Sequence, residues 1–399
     1  MRNRILRGKG LAFLAVALTA LLLTACALGP SADEEKVVKI GYILPLTGAP
    51  SAPMQGALEN SLTYLKYFEE GGIPGLTLPP GVSIELIWGD SAFQADKAIS
   101  IYERMRDDAV IYYTPAALET TALKSRFDRD GMATICMNYD EAMMYPPGPI
   151  FSVFCTESEK FAILCDWIME NWQEGRPPRV AVMGADSASG RATEVMGPAY
   201  AQSIGIEMLP FEAAPYMALD VSPQLLRIRE READFVYISG INIFALPIMR
   251  DAERLGLTGT IRFGSMENGQ SPAMLALGAA VEGYFSPRNF PWYEEVPICR
   301  DVLSGEEGDT AGQVVVLAVM IKAISMAIDN VGYENLDGRA VREAMYVIKD
   351  FDPHGMGKPI TYTPEDHRGS ATIRMYEVQN GKVVPVTDWR KAPMFVPEK

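Results

Sequence analysis

From Val37 onward, short apolar runs rich in β-branched and aromatic residues alternate with longer stretches whose apolar positions recur at helical spacing. Val37–Leu46, Val82–Trp88, Ala109–Tyr113 and Ala133–Met137 read as strands. Gln55–Glu70, Gln94–Arg106 and Leu118–Arg129 read as the helices between them; Leu58, Leu62, Leu65 and Phe68 fall on one face of the first. After a run at Phe151–Phe154 the series restarts. Helix Ser158–Trp172 leads to strand Arg179–Met183, helix Arg191–Ser203, strand Ile206–Leu209 and helix Val221–Glu230. Strand Phe235–Ser239, helix Ile243–Leu255 and strand Thr260–Phe263 follow. Such alternation implies parallel sheets covered on both faces, and two series imply two α/β lobes.

The late chain must add back to these lobes. Val281–Ser286 is strand-like and precedes a Pro-rich loop (Pro287, Pro291, Pro297), an apolar helix Ala311–Val331 and a helix Asp337–Ile348. Thr372–Val378 and Gly381–Val386 read as a hairpin around Gln379-Asn380-Gly381. The fold class expected is α/β: two doubly wound parallel-sheet lobes joined by a three-strand hinge, with crossovers near Phe151–Thr156, Gly283–Pro287 and Tyr362–Ile373. Lobe 1 would take residues 37–154 and 287–365, and lobe 2 residues 155–286 and 366–399. Ligands bind beyond the carboxyl ends of strands in such sheets, so facing lobes would share a cleft.

The first residues have a different character. Arg2, Arg4, Arg7 and Lys9 precede the apolar run Leu11–Leu23, which is too short for a membrane-spanning helix but suits a signal-peptide core. Leu23-Thr24-Ala25-Cys26 resembles a bacterial lipobox, so residues 1–25 read as a lipoprotein signal peptide and Cys26 as the lipidated residue. Residues 26–36 are small and polar, a short tether. Val314–Ile328 is interrupted by Lys322 and reads as a buried helix. The expected protein is therefore exported and held outside the cell membrane by lipid, or in the periplasm.

At 399 residues the chain exceeds the roughly 250–300 residues at which single cores stop growing. With 36 Lys+Arg against 51 Asp+Glu, the net charge is −15, and removal of four basic residues with the signal makes it 32 − 51 = −19. Nucleic acid is an unsuitable main partner at that charge. Two histidines, His354 and His367, cannot build a His-rich metal site. Cys136, Cys155, Cys165 and Cys299 contain no C-x-x-C; they read as one structural disulfide or as buried thiols, and three full pairings are open.

The order and spacing of several blocks carry a family resemblance. KIGYILPLTGAPSAPMQGALENSLTYL, IELIWGDSAFQADKAI, DAVIYYTP, GMATICMNYDEA, RVAVMGADSASGRATEV, RDAERLGLTGTIRFGS and FDPHGMGKPITYTPEDHRGSATIRMYEV together resemble the leucine/isoleucine/valine-type periplasmic binding proteins. These are type I solute receptors of ABC importers, and the resemblance covers nearly the whole chain after the signal. It implies a monomer whose lobes close on a small ligand and hand it to ABC permease subunits, with no cofactor and no enzymatic activity. A ligand sensor on the same fold, signalling to a partner protein without transport, is the alternative.

Strand-end loops are where both the fold and the resemblance put ligand contacts. The candidate set is Thr47, Gly48 and Ala49; Ala116, Ala117 and Leu118; Asn138, Tyr139 and Asp140; Ala188 and Ser189; Gly240 and Asn242; Met266 and Glu267. The chain departs from the family at several of them. After the third strand the family usually has Gly-Pro with a nearby Ser or Thr for the ligand carboxylate, but here Thr114-Pro115-Ala116-Ala117-Leu118 has no hydroxyl at the matching position. After the fourth it often has Ser-x-Ala-Thr, replaced here by Asn138-Tyr139-Asp140. Glu267 matches the acid that pairs with the ligand ammonium in amino-acid binders. Asp140 would repel a carboxylate and the missing hydroxyls would leave one unpaired, which points to a neutral or cationic solute rather than leucine itself. Asp140 and Glu267 also read as loop caps. Met137 and Met266 could shape an apolar pocket, and Tyr139, Phe244 and Trp292 are the aromatic candidates. No hydrolase, P-loop or dinucleotide-binding motif occurs.

Overall fold

The computed structural model describes residues 36–48, 51–137, 140–187, 189–215, 218–240, 245–266, 269–303 and 310–397. Cys26 and the segment read from the sequence as a signal peptide lie outside them. The chain opens with β1 (Lys36–Leu44), α1 (Ser51–Glu69), β2 (Val82–Asp90), α2 (Ala95–Met105), β3 (Ala109–Tyr113), α3 (Ala117–Asp130), β4 (Thr134–Ile135), a one-turn α4 (Glu141–Met144) and β5 (Ile150–Phe151). These strands form a parallel five-stranded sheet in the order β2-β1-β3-β4-β5. Buried residues of β1, including Ile40, Tyr42, Ile43 and Leu44, point to both faces of this sheet, as parallel strands under two helical layers require.

The second sheet gathers β6 (Arg179–Ala185), β7 (Glu207–Met208), β8 (Glu212–Ala214), β9 (Phe235–Ser239), β10 (Arg262–Ser265) and β11 (Phe285–Arg288). Its helices are α5 (Glu157–Asn171), α6 (Gly197–Ser203), α7 (Ser222–Glu230), α8 (Ala245–Arg254) and the short α9 (Pro272–Leu275). The helix expected over Arg191–Ser203 is divided: a 3-10 turn at Ala192–Glu194 precedes α6, which starts afresh with Pro198 in its first turn. β8 was not legible in the sequence. It takes over from β7 along β6, across the break at Pro210, which has no N–H for a ladder.

After β11 come α10 (Pro297–Asp301), α11 (Thr310–Val331) and α12 (Gly338–Met345), then β12 (Thr372–Gln379), β13 (Lys382–Pro385) and β14 (Arg390–Lys391). α11 is long and apolar enough to cross a membrane, but 89% of its most apolar window is buried inside the protein. Its residues Val314–Ala327 share one core with β1, β3 and β5, and with Ile348, Ile360 and Tyr362. β12 returns to the other sheet, antiparallel to β11, and turns back into β13. The two-residue turn Asn380-Gly381 has positive φ at both positions, the geometry that matches strand twist in a hairpin. The second sheet is thus mixed at this end.

Three passages join the sheets. The second lies later than the expected Gly283–Pro287: Pro287 and Arg288 still pair with Met375 and Arg374, so the chain leaves at Asn289. The first and third are bonded together. Tyr362 donates to Ser152 O at 2.7 Å, Ser152 N–H donates to His367 O, and His367 Nδ1 lies 3.0 Å from Ile150 O. The His367 ring stacks on Phe151. Arg368 joins Glu159 on α5 at 2.6 Å and Asp366 beside it. Cys136, Cys155, Cys165 and Cys299 are all buried and carry thiols rather than disulfides, the thiol alternative of the sequence reading.

Candidate functional site

The strand order sets out the site. Along the first sheet, the loops after β1, β3 and β4 carry Thr47–Gly48, Ala116–Leu118 and Asp140 past successive carboxyl ends. Along the second, β10-β9-β6 are parallel neighbours, and their ends carry Met266, Gly240 and Ser189. The two edges touch where Glu141, just beyond β4, meets Ser158 on α5 at 3.4 Å. Ala49, Asn138, Tyr139, Ala188, Asn242 and Glu267 lie outside the described residues, as does Phe244.

Asp90, at the end of β2, organises the first loop. One oxygen accepts the N–H groups of Leu46, Thr47 and Ala92, and the other accepts Thr47 Oγ1–H at 2.6 Å. Slight burial works against its charge, but these bonds hold the carboxyl below its usual range. Gln55 donates to Leu46 O from α1. Gly48 follows with φ +90°, exposed at the mouth of the loop.

The hydroxyls near Ala116–Leu118 are occupied elsewhere. Thr114 and Thr134 bond each other at 2.7 Å, and Thr120 donates back to Thr114 O at 2.8 Å, all three fully buried. Ala116 is buried, Ala117 half-buried and Leu118 half-exposed. Asp140 accepts the Met143 N–H at 2.9 Å, so one of its oxygens caps α4, as the cap reading expects. Met137 and Met266 are buried rather than open, and Trp292 is buried under Arg288, 5.3 Å from its guanidinium.

On the second lobe the site is made of backbone. Gly240 has φ +99°, and a Cβ on it would stand 3.2 Å from Gly190 Cα in the β6 loop. A Cβ on Gly190 would stand 2.1 Å from Ala185 O, so glycine serves both where the two loops approach and where the β6 loop folds back on its own strand. Thr193 and Ser239 bond each other behind them at 3.0 Å.

Two acids escaped the sequence reading. Glu119, in the first turn of α3, is fully buried with neither oxygen hydrogen-bonded among the described residues. Burial pushes its carboxyl up to about 7; the nearby Ser91 hydroxyl opposes this weakly and the Asp90 charge adds to it. Glu141 is equally buried, and burial pushes it up to about 7 as well. Only their sequence position, in the first turn of a helix after a strand end, marked them. Among the described residues, no three His, Cys, Asp or Glu side chains are arranged to hold a metal.

The sequence profile of the periplasmic binding proteins matches residues 37–382. The chain belongs to the periplasmic binding protein family. No curated protein sequence matches it. Among solved structures, this binding protein is similar to a branched-chain amino acid ABC transporter protein from Thermus thermophilus with bound valine: TM-score 0.80, 21% identity, 90% of this chain and 97% of that one covered. It is similar to the fatty acid ABC transporter substrate-binding protein of Thermomonospora curvata, with TM-score 0.77, 18% identity, and 91% and 94% covered. A solute-binding protein of Rhodopseudomonas palustris BisB5 in complex with 3,4-dihydroxy benzoic acid gives 0.71, 17% identity, and 90% and 96%. At these identities the likeness concerns the fold. It is the two-lobed type I periplasmic binding protein fold that the sequence led us to expect.

Proposed function

We propose that the chain is an exported receptor, lipidated at Cys26, that closes its lobes on a small organic solute and delivers it to an ABC permease. The observation that carries this reading is the meeting of two strand-end edges, one per lobe, at Glu141 and Ser158. Family membership supports the receptor role. In this reading residues 1–25 are the signal peptide and 26–36 the tether. Lobe 1 comprises 37–154 and 289–365, the boundary expected at 287 moved past Arg288, and lobe 2 comprises 155–288 and 366–399. The protein works as a monomer without a cofactor.

The solute is neutral or cationic: an amide, a modified amino acid or an aromatic compound, preferred over the branched-chain amino acids themselves. Hydroxyls that could hold a carboxylate bond one another, whereas Asp90 and Asp140 place acidic side chains at the lobe-1 edge. A thermal-shift screen of the purified protein against amino acids, amides, polyamines and aromatic acids tests this, since a ligand bound only by the folded state raises Tm. Large shifts from leucine, isoleucine or valine alone, intact in Asp140→Ala, would refute the specificity. No shift from any compound, with Cys26→Ser leaving membrane attachment unchanged, would refute the receptor and its anchor.

A further inference from the structure

Resting on the receptor reading above, one fully buried contact between the lobes sets an acid against a hydroxyl that backbone carbonyls also claim. Ser158 Oγ lies within reach of three acceptors: Glu141 Oε2 at 3.4 Å, Ala192 O at 3.2 Å and Thr193 O at 3.5 Å. A serine has one hydroxyl hydrogen to give. Met196 N–H, the remaining neighbour, donates to the same oxygen at 3.2 Å and supplies nothing to Glu141. Glu141 Oε1 has no hydrogen-bond partner among the described residues, and both side chains are fully buried. With a proton on Glu141 every group here finds a role: the carboxyl donates to Ser158 Oγ, and Ser158 donates to Ala192 O.

We propose that Glu141 and Ser158 form a proton-linked latch between the lobes, engaged while the Glu141 carboxyl is protonated and released when it ionises. Glu141 sits on α4 of the first lobe. Ser158 sits on α5 of the second and ties the loop after β6 to it. An ionised carboxylate here would be desolvated with only the Ser158 and Thr156 hydroxyls and a backbone N–H to support it, whereas separation of the lobes returns it to water.

The ionisable groups on the surrounding elements are largely occupied. On α5, Lys160 pairs with Glu157 at 2.9 Å and Glu159 with Arg368 at 2.6 Å. On the loop after β6, Arg191 pairs with Asp186, and burial pushes Glu194 up. Tyr145, beyond α4, is pushed up to about 12 by burial and carries no charge. Asp366 is held by Arg368. The Glu159 charge does act on Glu141, against its ionisation, while the Thr156 hydroxyl favours it.

The sign follows from a carboxyl near 4.5 when the lobes part and about 7 when they meet. Lobe closure is then fully favoured below about 4.5, weakens up to tenfold per pH unit through the window, and levels off above about 7. The latch couples solute release to rising pH at the cell surface.

Small-angle scattering of the protein without added solute, from pH 4.5 to 8.5, tests this. The radius of gyration should rise across the window in the wild type and stay at its acid value in Glu141→Gln. Ser158→Ala should be extended already at pH 5. A wild-type radius independent of pH, a Glu141→Gln curve that follows the wild type, or a compact Ser158→Ala at pH 5 would overturn the latch. None of these outcomes depends on the thermal-shift screen, so the latch and the receptor reading can fail separately.

Discussion

Asn289 holds Cys155 by both ends of its amide. Its Oδ1 accepts the Cys155 backbone N–H at 3.2 Å, and its Nδ2 lies 3.2 Å from the Cys155 sulfur while donating to Thr372 O at 2.9 Å. One side chain, on the second passage between the lobes, thereby bonds the first and the third. The thiol completes the set by donating to Ser370 O. Asn289→Ala leaves the buried Cys155 N–H without a partner and removes one from the half-buried Thr372 O, so the midpoint of urea unfolding should drop by the equivalent of about 1–3 kcal/mol. A loss within about 0.5 kcal/mol would mean that the hinge is held by other contacts.

Glu119 should make the protein less stable as pH rises. Its carboxyl is near 4.5 in the unfolded chain and about 7 in the fold, so the neutral form is favoured inside. The stability it contributes is complete below about 4.5 and lost as pH climbs to about 7. Glu119→Gln removes the charge at nearly constant volume. It should stabilise the protein by about 1–3 kcal/mol at pH 8 and change little near pH 4.5, read from denaturant midpoints at both values.

His367 works in the opposite sense. Burial lowers its imidazole to about 4, and the bond to Ile150 O only partly resists. The neutral ring belongs to the folded hinge, so stability is held above about 6.5 and lost as pH falls towards about 4. His367→Phe keeps a ring against Phe151 and should flatten that acid limb of a Tm-versus-pH curve, at some cost near neutrality for the lost bond to Ile150. An unchanged acid limb would place the sensitive group elsewhere.

Asp90→Ala removes the acceptor shared by three N–H groups of two adjacent loops. Amide hydrogen exchange at Leu46, Thr47 and Ala92 should accelerate roughly tenfold, the equivalent of about 1.4 kcal/mol of local protection. Amides in α12 should be unaffected. Any solute found by thermal shift should also lose affinity, because Thr47 would no longer be fixed.

Much of this was visible in the sequence because apolar spacing reports which faces are buried. β3 is found at Ala109–Tyr113 and β9 at Phe235–Ser239, the bounds read from the sequence, since each is a buried run ended by a turn signal. Ala133–Met137 shrank to the two residues of β4 because neighbours, not side-chain pattern, decide where a ladder stops. The site was half legible. Loops could be located from strand ends, and Asp140 read as a cap, but Glu119 and Glu141 were hidden. Their burial comes from packing between elements distant in sequence, which no local pattern records.

The threading of the chain through both lobes has a consequence for its biogenesis. The first core unites Val38 and Ile40 with Ile324 and Tyr362, and the second sheet unites β6 with a hairpin nearly 200 residues later. The first lobe lacks part of its core until Tyr362 is synthesised, and the second until the last strands are, and closing such long loops is slow. A polypeptide threaded through a membrane pore from its N-terminus must stay unfolded until it has passed. Here the wiring itself supplies that delay, so that compaction waits for the far side.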